Sequence, residues 1–171
     1  MAPLPGDRFP SPAGSLRSLT GEGSPPWIRA VTEDDLPALL RLDTEAFPSE
    51  PYPYFVLRQF LDVYGDHMLV LDDGTTLRGY VVATSPHAAG SWILSLVVTP
   101  GLRGRGLGRR LMREILHRLH AESVTSVRLT VEPGNDTAVV LYRSLGFTPE
   151  GEPRKDYFGP GQSRLVMRLA M

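Results

Sequence analysis

Leu94-Ser95-Leu96-Val97-Val98-Thr99-Pro100-Gly101-Leu102-Arg103-Gly104-Arg105-Gly106-Leu107-Gly108-Arg109 is the stretch on which the fold turns. Residues 94–98 are apolar apart from Ser95 and read as a strand. Pro100 and the glycines at 101, 104, 106 and 108 then force a turn. Beyond it the apolar residues Leu107, Leu111, Ile115 and Leu119 fall on one helical stripe, with Arg110, Arg113, Glu114 and His117 largely off it, which predicts a helix over residues 104–122. A strand running through such a turn into a helix gathers unpaired N–H groups and the positive end of the helix dipole at one point. That point attracts phosphate. Gly104, Gly106 and Gly108 allow the backbone close to a bulky anion, and Arg103, Arg105 and Arg109 add charge beside it. Taken alone, the segment is either such a cradle or an ordinary basic start to a helix. Two other Gly-rich phosphate loops are excluded. A P-loop needs Gly-Lys followed by Ser or Thr, and a dinucleotide fingerprint needs its third glycine one place later with an acidic residue roughly 20 positions on.

Working outward, Trp27-Ile28-Arg29-Ala30-Val31 reads as a short strand. Thr32 is a good helix N-cap, followed by acidic residues and by Leu36, Leu39 and Leu40 at helical spacing. Three prolines in residues 47–53 demand a loop, and Phe55, Leu57, Phe60 and Leu61 mark a second helix over residues 54–64. Strand-like runs follow at residues 67–71, 77–84 and 91–98, the first two joined through Asp72-Asp73-Gly74, a hairpin signal. After the long helix come a strand at 127–131, a helix at 135–145 stopped by Gly146, and closing strands at 147–151 and 164–169. The order is β-α-α-β-β-β-α-β-α-β-β. Residues 1–26, dense in Pro, Gly and Ser without periodicity, read as a flexible tail ahead of one domain over residues 27–171.

The bulk numbers close off several functions. Eighteen basic residues against nineteen acidic ones leave a net charge of −1, so no overall field favours nucleic acid or an anionic membrane. The absence of cysteine removes disulfides, thiolate catalysis and cysteine metal sites, and fits a reducing, cytoplasmic setting. No apolar run reaches the roughly 20 residues that span a bilayer. His117 and His120 lie three apart on a helix without an evident third ligand, so no metal is expected, and His67 and His87 read as surface residues.

A second constellation, Asn135…Ala138…Leu141-Tyr142…Gly146-Phe147, follows the strand around Leu129 and Val131. With Arg103, Gly106 and Gly108, which match a (Gln/Arg)-x-x-Gly-x-(Gly/Ala) loop, the pair of motifs resembles the GNAT superfamily of N-acetyltransferases across residues 27–169. The resemblance implies an α/β domain with a mixed, mostly antiparallel sheet, helices on both faces, and two parallel strands splayed at an acyl-CoA site. It implies that Leu96, Val97 and Val98 offer backbone groups to the pantetheine arm of acetyl-CoA, and that Arg103, Gly104, Arg105, Gly106, Leu107, Gly108 and Arg109 wrap its pyrophosphate. Asn135 would meet the cofactor arm or simply cap the following helix. Tyr142 would serve the leaving thiolate as proton or hydrogen-bond donor.

Arg154-Lys155-Asp156-Tyr157-Phe158 and Leu165-Val166-Met167 resemble the tail of bacterial ribosomal-protein alanine N-acetyltransferases. Two positions depart from that pattern. Thr130 stands where those enzymes place a glutamate base, and Gln162-Ser163 replace an acidic pair. The acceptor implied is a primary amine of a small molecule or a protein N-terminus; the alternative is a catalytically weak acyl-CoA sensor acting on a partner protein. A homodimer is compatible with either. The segment 43–62, with Asp43, Glu45, Glu50 and Asp62 and the aromatics Phe47, Tyr52, Tyr54, Phe55, Phe60 and Tyr64, falls where the family builds its acceptor pocket. The aromatics read mostly as core, with one or two placed to line the pocket, and the carboxylates either as solvated helix faces or as a field attracting a cationic amine.

Overall fold

The computed structural model describes residues 25–171; the sequence reading of residues 1–24 falls outside the described residues. The elements are β1 (Trp27–Ala30), α1 (Leu36–Ala46), α2 (Tyr54–Tyr64), β2 (Met68–Asp72), β3 (Leu77–Ala83), β4 (Gly90–Val98), α3 (Leu107–Ala121), β5 (Ser126–Val131), α4 (Asp136–Ser144), β6 (Thr148–Pro149) and β7 (Leu165–Ala170). Their order is the one expected. The strands form one seven-stranded sheet, β1-β2-β3-β4-β5-β7-β6, in which β4 and β5 alone run parallel. That parallel pair requires a crossover, and α3 supplies it.

Each face of the sheet carries its own core. On one face α3 and α4 pack Leu111, Met112, Ile115, Leu119 and Tyr142 over Leu69, Val81, Ile93 and Leu129. On the other, α1 and α2 bring Leu36, Leu39, Leu42 and Leu57 onto Met68, Val70, Tyr80, Val82 and Val97. Alternation along β4 breaks once. Val82 pairs with Ser95 but Ala83 pairs with Ile93, so Leu94 is an extra residue, a β-bulge. Ile93 therefore points to the α3 face, Leu94 and Ser95 both to the α1 face, and Leu96 back to the α3 face.

Several boundaries differ from the sequence reading. Helix α3 begins at Leu107 rather than 104 because Gly104 and Gly106 both sit at φ 77°, outside the helical region. Strand β6 shrinks to two residues, since Pro149 cannot donate to a ladder and Gly151 turns away at φ 86°. His67 is buried instead of exposed, its Nε2 2.8 Å from Glu122 Oε1, which ties the start of β2 to the end of α3. Among the described residues no helix is long and apolar enough to cross a membrane.

Arg29 locks the entry to the fold. Its guanidinium grips Asp35 through two hydrogen bonds of 2.7 and 2.9 Å and donates a third, of 2.8 Å, to Asp72, linking β1, β2 and the turn that opens α1. Asp35 also accepts from the Thr32 backbone N–H at 2.8 Å. Arg29 foremost, then those Thr32 contacts, hold the Asp35 carboxyl below its ordinary pKa against the opposing effect of burial. A depressed native pKa means stability that is fully present above the unfolded value of about 3.9 and is lost as pH falls through the native one. Arg29→Gln is expected to lower unfolding free energy by about 1–3 kcal/mol at pH 7. Urea titrations at falling pH should show the gap from wild type closing below about pH 4; a gap that stays constant would contradict the assignment.

Candidate active site

The ladder between β4 and β5 ends early. Gly90, Ser91, Trp92 and Ile93 pair with Ser126, Val127, Arg128 and Leu129, and beyond this the two strands part. Residues 94–98 keep only β3 as a strand partner, while β5 continues against β7 through Thr130 and Val131. The bulge at Leu94 coincides with the first unpaired position, so the kink that re-aims β4 also opens the cleft.

On the α1 face the cleft widens into a cavity of about 220 Å³. Trp92, Ile93 and Leu94 of β4 and Thr130 of β5 form its floor, with Tyr52 from the loop between α1 and α2 on one side and Tyr157 and Phe158 from the loop between β6 and β7 on the other. Tyr52 directs its hydroxyl toward the Leu94 carbonyl at 3.4 Å and packs edge-on against Phe60, centroids 5.1 Å apart. Burial, and secondarily the charge on Asp43, raise the Tyr52 pKa above its ordinary value.

Asp43 was expected among carboxylates attracting an amine. It is instead fully buried. It accepts a hydrogen bond from the Tyr52 backbone N–H at 2.5 Å and one from the Tyr80 hydroxyl, which in turn accepts from Ser95 Oγ at 3.1 Å. The network pins the α1–α2 loop to the bulged part of β4. Burial, reinforced by Asp43, pushes the Tyr80 hydroxyl far above its usual range, so it stays protonated as a donor. Asp62 is likewise engaged, with Arg58, and Glu50 accepts from Gln162. The aromatics divide: Phe60 and Tyr52 pack on the core, whereas Phe47, Tyr54 and Phe55 are exposed.

On the α3 face lies the Gly-rich turn. Gly104 and Gly106 hold positive φ with no atom within 4 Å of where a Cβ would stand, and Gly106 is the helix N-cap without any side-chain cap. The first bond of the helix runs from Arg110 N–H to the Gly106 carbonyl. Among the described residues the N–H groups of residues 104–109 therefore find no acceptor, and the space beside Gly104 and Gly106 is open. Gly108 is placed differently. A Cβ there would stand in ordinary contact with Leu141, Val98 and Leu96 at 3.5–3.8 Å, so α3 lies close against α4 and the free end of β4 and an alanine would fit at this position. Arg103, Arg105 and Arg109 carry no carboxylate partner among the described residues, and Arg103 Nε folds back to the Val98 carbonyl at 3.2 Å. Leu107 is buried, so only its backbone is available to a ligand, and Val97 points its side chain into the core on the α1 face.

Asn135 caps α4, its Oδ1 accepting from Ala138 N–H at 3.1 Å, and its amide nitrogen has no acceptor among the described residues. The other end of α4 closes with bonds from Gly146 N–H to the Arg143 carbonyl and from Phe147 N–H to the Tyr142 carbonyl, Gly146 lying at φ 95°. This cap brings Phe147 against Tyr142, ring centroids 6.0 Å apart. The cap thus sets where Tyr142 stands. Its ring is buried, yet the hydroxyl has no protein partner among the described residues, and the one fully buried, unpartnered side-chain polar atom there is His67 Nδ1. The hydroxyl therefore reaches accessible space. Desolvation pushes its pKa up to about 12.

Residues 31–147 match the model of the Acetyltransferase (GNAT) family. The chain belongs to this family and is an acetyltransferase. It is 30% identical over 154 residues to the N-alpha-acetyltransferase RimI of Mycobacterium tuberculosis, covering 88% of this chain and 96% of that one. The fold superposes on Ard1 of Thermoplasma volcanium with TM-score 0.80 at 21% identity, over 86% of this chain and 98% of that one. It also superposes on Arabidopsis thaliana Naa50, solved with the bisubstrate analogue CoA-Ac-MVNAL, with TM-score 0.75 at 18% identity over 86% and 99% of the two chains.

At the parted strands Thr130 lines the cavity on the α1 side, and Tyr142 packs on the α3 side. Among the described residues no three His, Cys, Asp or Glu side chains gather where they could hold a metal ion. Sequence reasoning missed Asp43 and Tyr80 as organisers of the site, because their contact spans 37 positions and leaves no periodic trace. Asp43→Ala is expected to cost about 2–4 kcal/mol, since it strands the Tyr80 hydroxyl and the Tyr52 N–H in a dry interior. Asp43→Asn, which keeps one acceptor oxygen, should cost less. Equal stability of Asp43→Ala and wild type in urea unfolding would refute this role.

Proposed function

We propose that this acetyltransferase moves the acetyl group of acetyl-CoA directly onto a primary α-amine, either a peptide N-terminus or a small molecule. The observation that carries the reading is the parted β4–β5 cleft, with a cradle of free N–H groups on one face and an aromatic cavity on the other. The two substrates enter from opposite faces and meet where the strands separate. The name of the M. tuberculosis relative, an N-alpha-acetyltransferase, supports the choice of an α-amine.

The N–H groups of residues 104–109, backed by the α3 dipole and by Arg103, Arg105 and Arg109, bind the pyrophosphate. Backbone groups of Leu96, Val97 and Val98, freed from β5, align the pantetheine arm, and the free amide nitrogen of Asn135 reaches the same arm. Acetyl-CoA supplies the activated acetyl group as a thioester. The Tyr142 hydroxyl, protonated at neutral pH, donates a hydrogen bond to the departing sulfur. Strand N–H groups of β4 receive the developing oxyanion.

Among the described residues no carboxylate lines the acceptor cavity; Thr130 occupies the floor, and its hydroxyl takes no proton from an ammonium at neutral pH. An α-amine with pKa near 8 is already partly neutral at pH 7, whereas a lysine side chain near 10.4 is almost wholly charged. A site without a strong base accordingly favours the α-amine, and the advantage narrows as pH approaches about 10.

The test is thiol release from acetyl-CoA with peptide α-amines. Tyr142→Phe is expected to lower kcat by one to three orders of magnitude, about the range of general acid catalysis, while the Kd for acetyl-CoA barely moves. Normal turnover by Tyr142→Phe would remove the donor role, and absence of transfer by wild type to any amine would remove the reading.

A further inference from the structure

The loop between β6 and β7, which supplies Tyr157 and Phe158 to the acceptor cavity, holds an arrangement that costs energy as it stands. Arg154 and Arg164 face each other across an antiparallel bridge, exchanging backbone hydrogen bonds of 2.7 and 3.0 Å. Directly opposed residues of such a pair project from the same face. Like charges so placed repel. Neither guanidinium has a carboxylate partner among the described residues. Each lies on an aromatic ring instead: Arg154 5.5 Å from the centroid of Tyr157, Arg164 4.8 Å from that of Phe158, with the two rings 5.2 Å apart. Glu50 is kept apart from Arg164 by a neutral side chain. Gln162 donates its amide to Glu50 and accepts from Arg164 at 3.2 Å. Arg164 spends one further donor on the Ser163 carbonyl at 2.9 Å.

Stacking explains why the pair is tolerated, since an aromatic face attracts a cation. It does not satisfy the N–H donors that carry no hydrogen bond among the described residues. Two adjacent guanidiniums with free donors, positioned on the rings that wall the acceptor cavity, have the charge and fork geometry to receive a carboxylate.

We propose that Arg154 and Arg164 determine acceptor specificity, selecting amines that carry a carboxylate near the reactive nitrogen, such as a peptide N-terminus followed by an acidic residue. This rests on the reading of the cavity as the acceptor site. The bound carboxylate neutralises the opposed pair and holds the acceptor against Tyr157 and Phe158, away from the bond being made. The effect therefore falls mainly on KM.

The experiment compares thiol release by the full chain with acetyl-CoA and three tripeptide amides, Ala-Glu-Ala, Ala-Gln-Ala and Ala-Lys-Ala, with free glutamate and glutamine run beside them. The Glu peptide is expected to exceed the Gln peptide about tenfold in kcat/KM, with the Lys peptide lowest and the ratio shrinking as salt rises. Free glutamate outrunning Ala-Glu-Ala, and outrunning glutamine by a like factor, would place the carboxylate on a small molecule, the reverse order on a peptide; either supports the proposal. Arg164→Gln should collapse the Glu-to-Gln ratio. Arg154→Glu, at an exposed position where folding is not at stake, should invert the order in favour of the Lys peptide. Equal rates on the three peptides, a wild-type preference for lysine, or a glutamate preference that survives Arg154→Glu would overturn the proposal while leaving the activity intact. Transfer to none of the acceptors would instead strike the acceptor-site reading on which it rests.

Discussion

The structure depends on a ladder that stops. β4 and β5 pair through four residues each and then separate, although both strands continue. Unpaired backbone groups inside a domain are costly, so such a gap persists only where a ligand fills it or the surroundings hold it open. Here the surroundings do so from both sides. The Leu94 bulge turns β4 away, and the buried Asp43–Tyr80–Ser95 network anchors the bulged segment to the α1–α2 loop. On the opposite face α3 and α4 pack against Leu96 and Val98 through Leu107, Leu111 and Leu141, setting the helices against the free strand end.

From that gap the division of labour follows. The α3 face offers backbone donors and cationic side chains, suited to a polyanionic carrier that is shared by every reaction of the family. The α1 face offers aromatic loop residues around an open cavity, suited to the acceptor. Tyr142 belongs to the first group and Thr130 to the second, and they stand on opposite faces of one sheet. The acceptor-side cavity is walled by Tyr52, Tyr157 and Phe158, with an arginine stacked on each of the last two.

What could be read from the sequence was what is local. Three glycines spaced two apart between a strand and an apolar helical stripe announce the turn at 104–108, and Leu145-Gly146-Phe147 announces the cap that fixes Tyr142. The order of elements followed from periodicity, and helices on both faces of the sheet from the resemblance to the family. What escaped was set by distant partners. The burial of His67 depends on Glu122, 55 positions away, and that of Asp43 on Tyr80, 37 away. The Leu94 bulge has no signature, because Leu94-Ser95-Leu96 alternates as any half-buried strand does. The stacking of Arg154 and Arg164 exists only once the β6–β7 loop closes on itself, which Asp156 and Gly161 bring about through a 2.7 Å bond. The exposed Phe47, Tyr54 and Phe55 show the same limit, since aromatic composition alone does not say which rings the fold will cover.

The central claim is that the free N–H groups at the head of α3 form the anchor for a pyrophosphate. Isothermal titration of the protein with acetyl-CoA, and with desulfo-CoA as an unreactive analogue, measures it directly. Both should bind with similar Kd and with an affinity that weakens as salt rises, and Arg103→Glu or Arg105→Glu should weaken both alike by about tenfold or more. No heat and no saturation at millimolar acetyl-CoA, or binding untouched by either charge reversal, would contradict it.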